Sequence, residues 1–165
     1  LVTKCRMIAN HGRIDKYNHL MEGRSSRLDG LHAAILGVKL KYLDRWIDRR
    51  NAIAQIYLTG LSSVANISLP SISPDVRHAF HLFVIKTPRR DELQRYLTRL
   101  GIETGIHYPI ALPKLKAYDY LHQSKEPVLA IRMSGQLLSL PIGEHLTDTE
   151  VNIVVSAVRS FFGLT

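Results

Sequence analysis

Between residues 28 and 58, apolar side chains (Leu28, Leu31, Ile35, Val38, Tyr42, Trp46, Ile53 and Ile56) recur mostly at three- and four-residue steps, the spacing of one helix face. Read as continuous, this helix would run roughly 45 Å at 1.5 Å per residue. That exceeds what a compact small domain requires and suits an element that bridges two domains or lines a subunit interface. Ser25 or Ser26 stands where a cap for it would stand. Upstream, residues 6–10 read as a helix closed by Gly12, followed by irregular chain over 13–21.

Downstream, Pro70 and Pro74 with Ser71 and Ser73 break the pattern into a loop. Residues 79–86, rich in aromatic and branched side chains, predict a strand. Thr87 and Pro88 open a helix whose buried face is Leu93, Leu97 and Leu100 and which Gly101 stops. A short strand over 102–106 follows. Short helices are expected at 113–121 and 128–137, with their boundary near Lys125-Glu126-Pro127, then extended chain at 138–142. Thr147 and Glu150 are spaced as a capping box, with Leu146 and Val151 as a hydrophobic staple. Val151, Val154, Val155, Val158 and Phe162 give the last helix its buried face. This alternation predicts a two-layer α+β domain in the last hundred or so residues.

With 165 residues, 45% of them hydrophobic, the chain fits one globular domain or a small domain with an arm. It opens on Leu1 inside what reads as a helix, so a longer parent chain is expected. Lys and Arg number 22 against 14 Asp and Glu, and the surplus favours anionic partners. The basic residues (Lys39, Lys41, Arg45, Arg49 and Arg50; Arg89, Arg90, Arg95 and Arg99) are scattered along helices, which reads as solvated faces. No nucleic-acid motif accompanies them, so no nucleic-acid partner is expected. Cys5 is the one cysteine, which points to a reducing, cytoplasmic setting. No apolar run reaches the ~20 residues of a spanning helix, and no membrane partner is expected.

Phosphate loops, paired-cysteine sites and nucleophile elbows are missing from the sequence. His78 and His81 lack neighbouring carboxylate or cysteine ligands at metal spacing, so no metal is expected. Two segments carry candidate chemistry. Two serines and Arg27 before a helix would combine free N–H groups, hydroxyls and a guanidinium for an anion, or the serines serve as simple caps. His107-Tyr108-Pro109 ends a short strand, where side chains can line a cleft; alternatively His107 is a rim residue and Tyr108 a core aromatic.

The segments 23–36 (Gly23-Arg24-Ser25-Ser26-Arg27-Leu28-Asp29-Gly30 and onward) and 101–109 (Gly101-Ile102-Glu103-Thr104-Gly105-Ile106-His107-Tyr108-Pro109) resemble the C-terminal half of the DegT/StrS-type sugar aminotransferases. So do Asn10-His11-Gly12, His81-Leu82-Phe83-Val84-Ile85 and Leu138-Ser139-Leu140-Pro141-Ile142, in matching order. The resemblance implies a fold-type I enzyme dependent on pyridoxal 5'-phosphate (PLP), with residues 1–26 ending the large cofactor domain, 27–62 forming a long connecting helix and 63–165 a small α+β domain. It also implies a homodimer that moves an amino group, usually from glutamate, onto a keto group of a nucleotide-linked sugar.

The catalytic lysine that holds PLP would precede Leu1, so the isolated chain is expected to be inactive. Ser25 occupies the place of the family's phosphate-binding asparagine and is the candidate cofactor contact. Arg27, His107 and Tyr108 match positions near the substrate. Two alternatives remain: a sugar dehydratase of the same family with histidine at the lysine position, and a non-catalytic binding or regulatory module.

Overall fold

The computed structural model describes residues 1–121 and 128–164. The boundary expected near Lys125-Glu126-Pro127 lies outside them. Two compact units divide the chain, Leu1–Leu43 and Asp44–Thr165.

The first unit contains α1 (Val2–Ile8) and α2 (Gly30–Leu40). The chain reverses after α1 at Gly12, whose φ of +74° is left-handed, and Gly12 N–H donates to Met7 O at 2.7 Å. A Cβ at Gly12 would stand 1.5 Å from Met21 O, so only glycine fits. Ala9 and His11 then exchange backbone bonds with Ser26 and Arg24, forming an antiparallel bridge between Asn10 and Ser25. Neither α1 nor α2 buries a residue within the chain.

The single long helix expected over 28–58 is instead two helices, α2 and α3 (Leu43–Leu61). At the break, Lys41 N–H donates to Val38 O and Tyr42 N–H to Lys39 O, a three-residue spacing that closes the α ladder. The apolar period runs on across this turn, which is why periodicity alone does not show it.

In the second unit, β1 (Phe83–Lys86) and β2 (Leu137–Leu140) pair antiparallel, Phe83 opposite Leu140 and Ile85 opposite Leu138. Single bridges add Ser68 beside Lys86 and Gly105 beside Ser139. α4 (Arg90–Arg99), α5 (Val128–Ser134) and α6 (Asp148–Phe161) complete the regular structure, with two 3-10 turns at Leu112–Lys114 and Lys116–Leu121. The expected helix over 113–121 is thus 3-10 in character. One core joins Ile53, Tyr57 and Leu61 of α3, Phe83 and Ile85 of β1, Leu93 and Leu97 of α4, Leu138 and Leu140 of β2, and the valine face of α6. The fold is α+β, as the alternation of elements predicts.

β1 is shorter than residues 79–86 because Phe80 takes a left-handed φ of +42°, a strained region for a bulky side chain. The expected strand over 102–106 reduces to the one bridge at Gly105. Arg89, not Thr87, is the N-cap of α4, and Thr87 Oγ1 accepts the Arg89 N–H at 3.3 Å just ahead of it. Gly101 closes α4 as expected, with Ile102 N–H reaching Leu97 O and Gly101 N–H reaching Thr98 O. Leu100, expected in the core, is 54% exposed because it follows the last helical residue. The capping box of α6 is complete: Thr147 Oγ1 accepts from Glu150 N–H, and Glu150 Oε2 accepts from Thr147 N–H.

No helix among the described residues is long and apolar enough to cross a membrane.

Candidate functional site

α3 carries two adjacent arginines that shape the second unit's cleft. Arg50 Nη1 donates to the carbonyls of Phe80 (3.2 Å), His81 (3.2 Å) and Ile142 (3.3 Å), and Nη2 pairs with Glu144. Arg49 holds Leu146 O through Nε and Asp148 through Nη1. Both the chain entering β1 and the chain leaving β2 are therefore tied to one helix. Glu144 sits below the usual carboxylate range, first because its own backbone N–H bonds it and then because Arg50 lies beside it. Reading the basic residues as solvated faces missed these arginines, whose place in the apolar seam between Trp46 and Ile53 was the available signal.

Tyr57 Oη donates to Pro141 O at 2.8 Å, and burial pushes its phenol far above the ordinary value. It fixes the end of β2 from beneath, one residue before the carbonyl that Arg50 takes. Between these anchors opens a cleft of about 400 Å³, lined in part by His81, Thr104, Gly105, His107, Ser139 and His145.

His107 lines this cleft, and the ring of the neighbouring Tyr108 stands edge to face with it at 6.0 Å. His107 Nδ1 is 3.0 Å from Ser139 Oγ. Tyr108 is 78% exposed, which rules out a core role. An imidazole at the cleft and a phenol beside it suit hydrogen bonding to an oxygen-rich ligand.

Ser25 and Arg27 belong to the first unit. Neither serine caps α2. Asp29 is its N-cap, accepting the His32 N–H at 2.9 Å, and its carboxylate also pairs with the His32 ring. The backbone N–H of His32, then its side chain, hold Asp29 below the usual carboxylate range. A charged carboxylate therefore occupies the helix terminus for which the sequence left an anion site and a serine cap both open.

What Ser25 offers is different. In its bridge with Asn10 the flanking residues Arg24 and Ser26 make the cross-chain bonds, so the Ser25 N–H, like its exposed hydroxyl, has no partner among the described residues. Arg27 is likewise exposed, with no ion pair among the described residues. Two adjacent donors fit one edge of a phosphate such as that of PLP.

The comparisons with known proteins agree along the chain. The model of the DegT/DnrJ/EryC1/StrS aminotransferase family matches residues 1–159. A dTDP-3-amino-3,4,6-trideoxy-alpha-D-glucose transaminase of Streptomyces venezuelae is 40% identical over 98% of this chain and 43% of its own length. EryC1 of Saccharopolyspora erythraea, named an erythromycin biosynthesis sensory transduction protein, is 41% identical over 97% of the chain and 44% of its own. The crystal structure of S. venezuelae DesV in complex with a ketimine intermediate superposes with a TM-score of 0.91 at 38% identity, covering 99% of this chain and 44% of that one. The chain thus spans less than half the length of the relatives it matches, and it belongs to the DegT/DnrJ/EryC1/StrS aminotransferase family.

Proposed function

We propose that this chain is the C-terminal part of a PLP-dependent aminotransferase that moves an amino group, from glutamate, onto the keto carbon of a nucleotide-linked sugar. The observation that carries the reading is the likeness along nearly the whole chain to sugar transaminases, at 40% identity to one named for a 3-amino sugar. A dTDP-linked 3-keto sugar is the substrate class this favours.

When bound, PLP supplies the electron sink for the proton shift. The chain's own residues bind and orient. Ser25 donates to the cofactor phosphate through its hydroxyl and N–H. Arg27 offsets the charge of the substrate's diphosphate, and His107 and Tyr108 hydrogen-bond to substrate oxygens at the cleft. The enzyme works as a homodimer whose sites draw residues from both subunits. Since a fixed geometry converts binding energy into rate, these contacts act through orientation.

The test uses the full-length protein with PLP, glutamate and a dTDP-linked 3-keto sugar. Formation of 2-oxoglutarate together with an aminated sugar of the expected mass supports the reading. A deoxygenated sugar without amination would instead mark the family's dehydratase chemistry. Absence of both reactions, with PLP not retained, would favour the regulatory role suggested by the name of EryC1.

A further inference from the structure

Ser139 sits at the middle of the small sheet. On one side it pairs with Val84 of β1. On the other, its N–H donates to Gly105 O at 2.8 Å and its carbonyl accepts from Gly105 N–H at 3.0 Å. This pair of hydrogen bonds fixes the start of the segment that carries His107. Gly105 also lets the imidazole come down onto the backbone: a Cβ there would stand 2.4 Å from His107 Cε1 and 3.1 Å from Nδ1. The ring therefore lies over Gly105 with Nδ1 against the Ser139 hydroxyl, 3.0 Å away.

Proton counting assigns the direction of that bond. A serine hydroxyl has one proton to give, and a neutral imidazole has one donor and one acceptor nitrogen. Ser139 is only 5% exposed, and its hydroxyl has no other partner among the described residues. Were Nδ1 to donate, the hydroxyl proton would need another acceptor, and none stands within reach among the described residues. With the Oγ–H donating to Nδ1, the ring proton of a neutral imidazole is left on Nε2.

We propose that Ser139 is a positioning residue that holds His107 in the Nε2–H tautomer, so that the ring presents a donor to an acceptor oxygen of the nucleotide-linked substrate. The substrate half of this assignment rests on the proposed function; the tautomer half does not.

Long-range proton–nitrogen correlation spectra of the chain with nitrogen-15 histidine, recorded above the imidazole titration, read the tautomer directly. His107 is expected to show an unprotonated Nδ1 and a protonated Nε2. Ser139→Ala is expected to give a mixture of tautomers, and Ser139→Thr, which keeps the hydroxyl, to restore the original pattern. Should Ser139→Ala not fold, Gly105→Ala serves as the second perturbation, pushing the ring off Ser139 from the opposite side with the same expected mixing. A protonated Nδ1 in the unaltered chain, or a pattern unmoved by these changes, would overturn the proposal.

In the full-length enzyme, Ser139→Ala is expected to raise KM for the nucleotide-sugar about tenfold while kcat stays within about twofold, the mark of lost uniform binding. An unchanged KM beside an altered tautomer would overturn the substrate half. If no transamination is measurable but the tautomer responds, the activity reading fails and the positioning assignment stands.

Discussion

Gly60 on α3 lies so close to Val155 on α6 that a Cβ built on it would stand 2.6 Å from Val155 Cγ1. The same glycine's carbonyl accepts from Arg159 Nη1 at 3.2 Å, so side chains of α6 pack directly on the backbone of α3 at this point. Gly60→Ala gains up to about 1 kcal/mol of helix propensity but forces a stiff β-branched neighbour aside, which typically costs about 1–3 kcal/mol. The overpacking term wins. A net loss of about 1 kcal/mol is expected in urea unfolding, and that added cost should largely vanish when Gly60→Ala is made in a Val155→Ala background, because the two sites touch.

Arg50 serves both loops of the cleft with one planar group. Arg50→Lys keeps the charge but cannot satisfy three carbonyls and Glu144 at once. A loss of about 2 kcal/mol is expected from the charged hydrogen bonds given up. Thermal unfolding of the chain measures it, and in the full-length enzyme a raised KM for the nucleotide-sugar should accompany it. A variant as stable as the original would show that Arg50 is not what ties these loops.

The capping box of α6 makes stability depend on pH in a definite direction. Glu150 is held below its ordinary value of 4.5, first by the backbone N–H of Thr147 and then by its hydroxyl. A carboxyl depressed in the folded state adds stability that is present above the unfolded value and lost as pH falls through the folded one. Unfolding midpoints should therefore drop as pH is lowered from about 4.5. Glu150→Gln, which keeps an acceptor but does not titrate, should show a shallower decline over the same interval.

These two devices differ in how far the sequence reveals them. Thr147 and Glu150 signal within a single turn, so spacing alone places the cap. The link between Ser139 and His107 spans chain segments whose register no local pattern records, and it appears only once β2 and Gly105 are paired. Ser25 and Ser26 look like caps because the serine signal is local, yet Asp29 stands nearer the first turn and takes the role. The turn at Lys41 and Tyr42 is silent for the opposite reason, since apolar spacing continues through it. Family likeness marked out the stretches around Ser25 and His107; it did not give the hydrogen bonds inside them.

On the proposed reading, Ser25 takes the place of a family asparagine whose longer amide would reach toward the cofactor phosphate. In the full-length enzyme, Ser25→Asn is expected to tighten PLP binding about tenfold, equivalent to about 1.4 kcal/mol and so to one good hydrogen bond. Absorbance titration of the cofactor-free protein with PLP reads this. Unchanged affinity would place the phosphate away from Ser25.

Helices α1 and α2 bury no side chain within the chain, and the first unit keeps its shape through the turn at Gly12 and backbone bonds. The second unit has a shared apolar core. Local opening is therefore cheap in one and tied to global unfolding in the other. Amide exchange would divide the chain into two foldons, with residues before α3 losing their protons first and the centres of α3, β1 and α6 last.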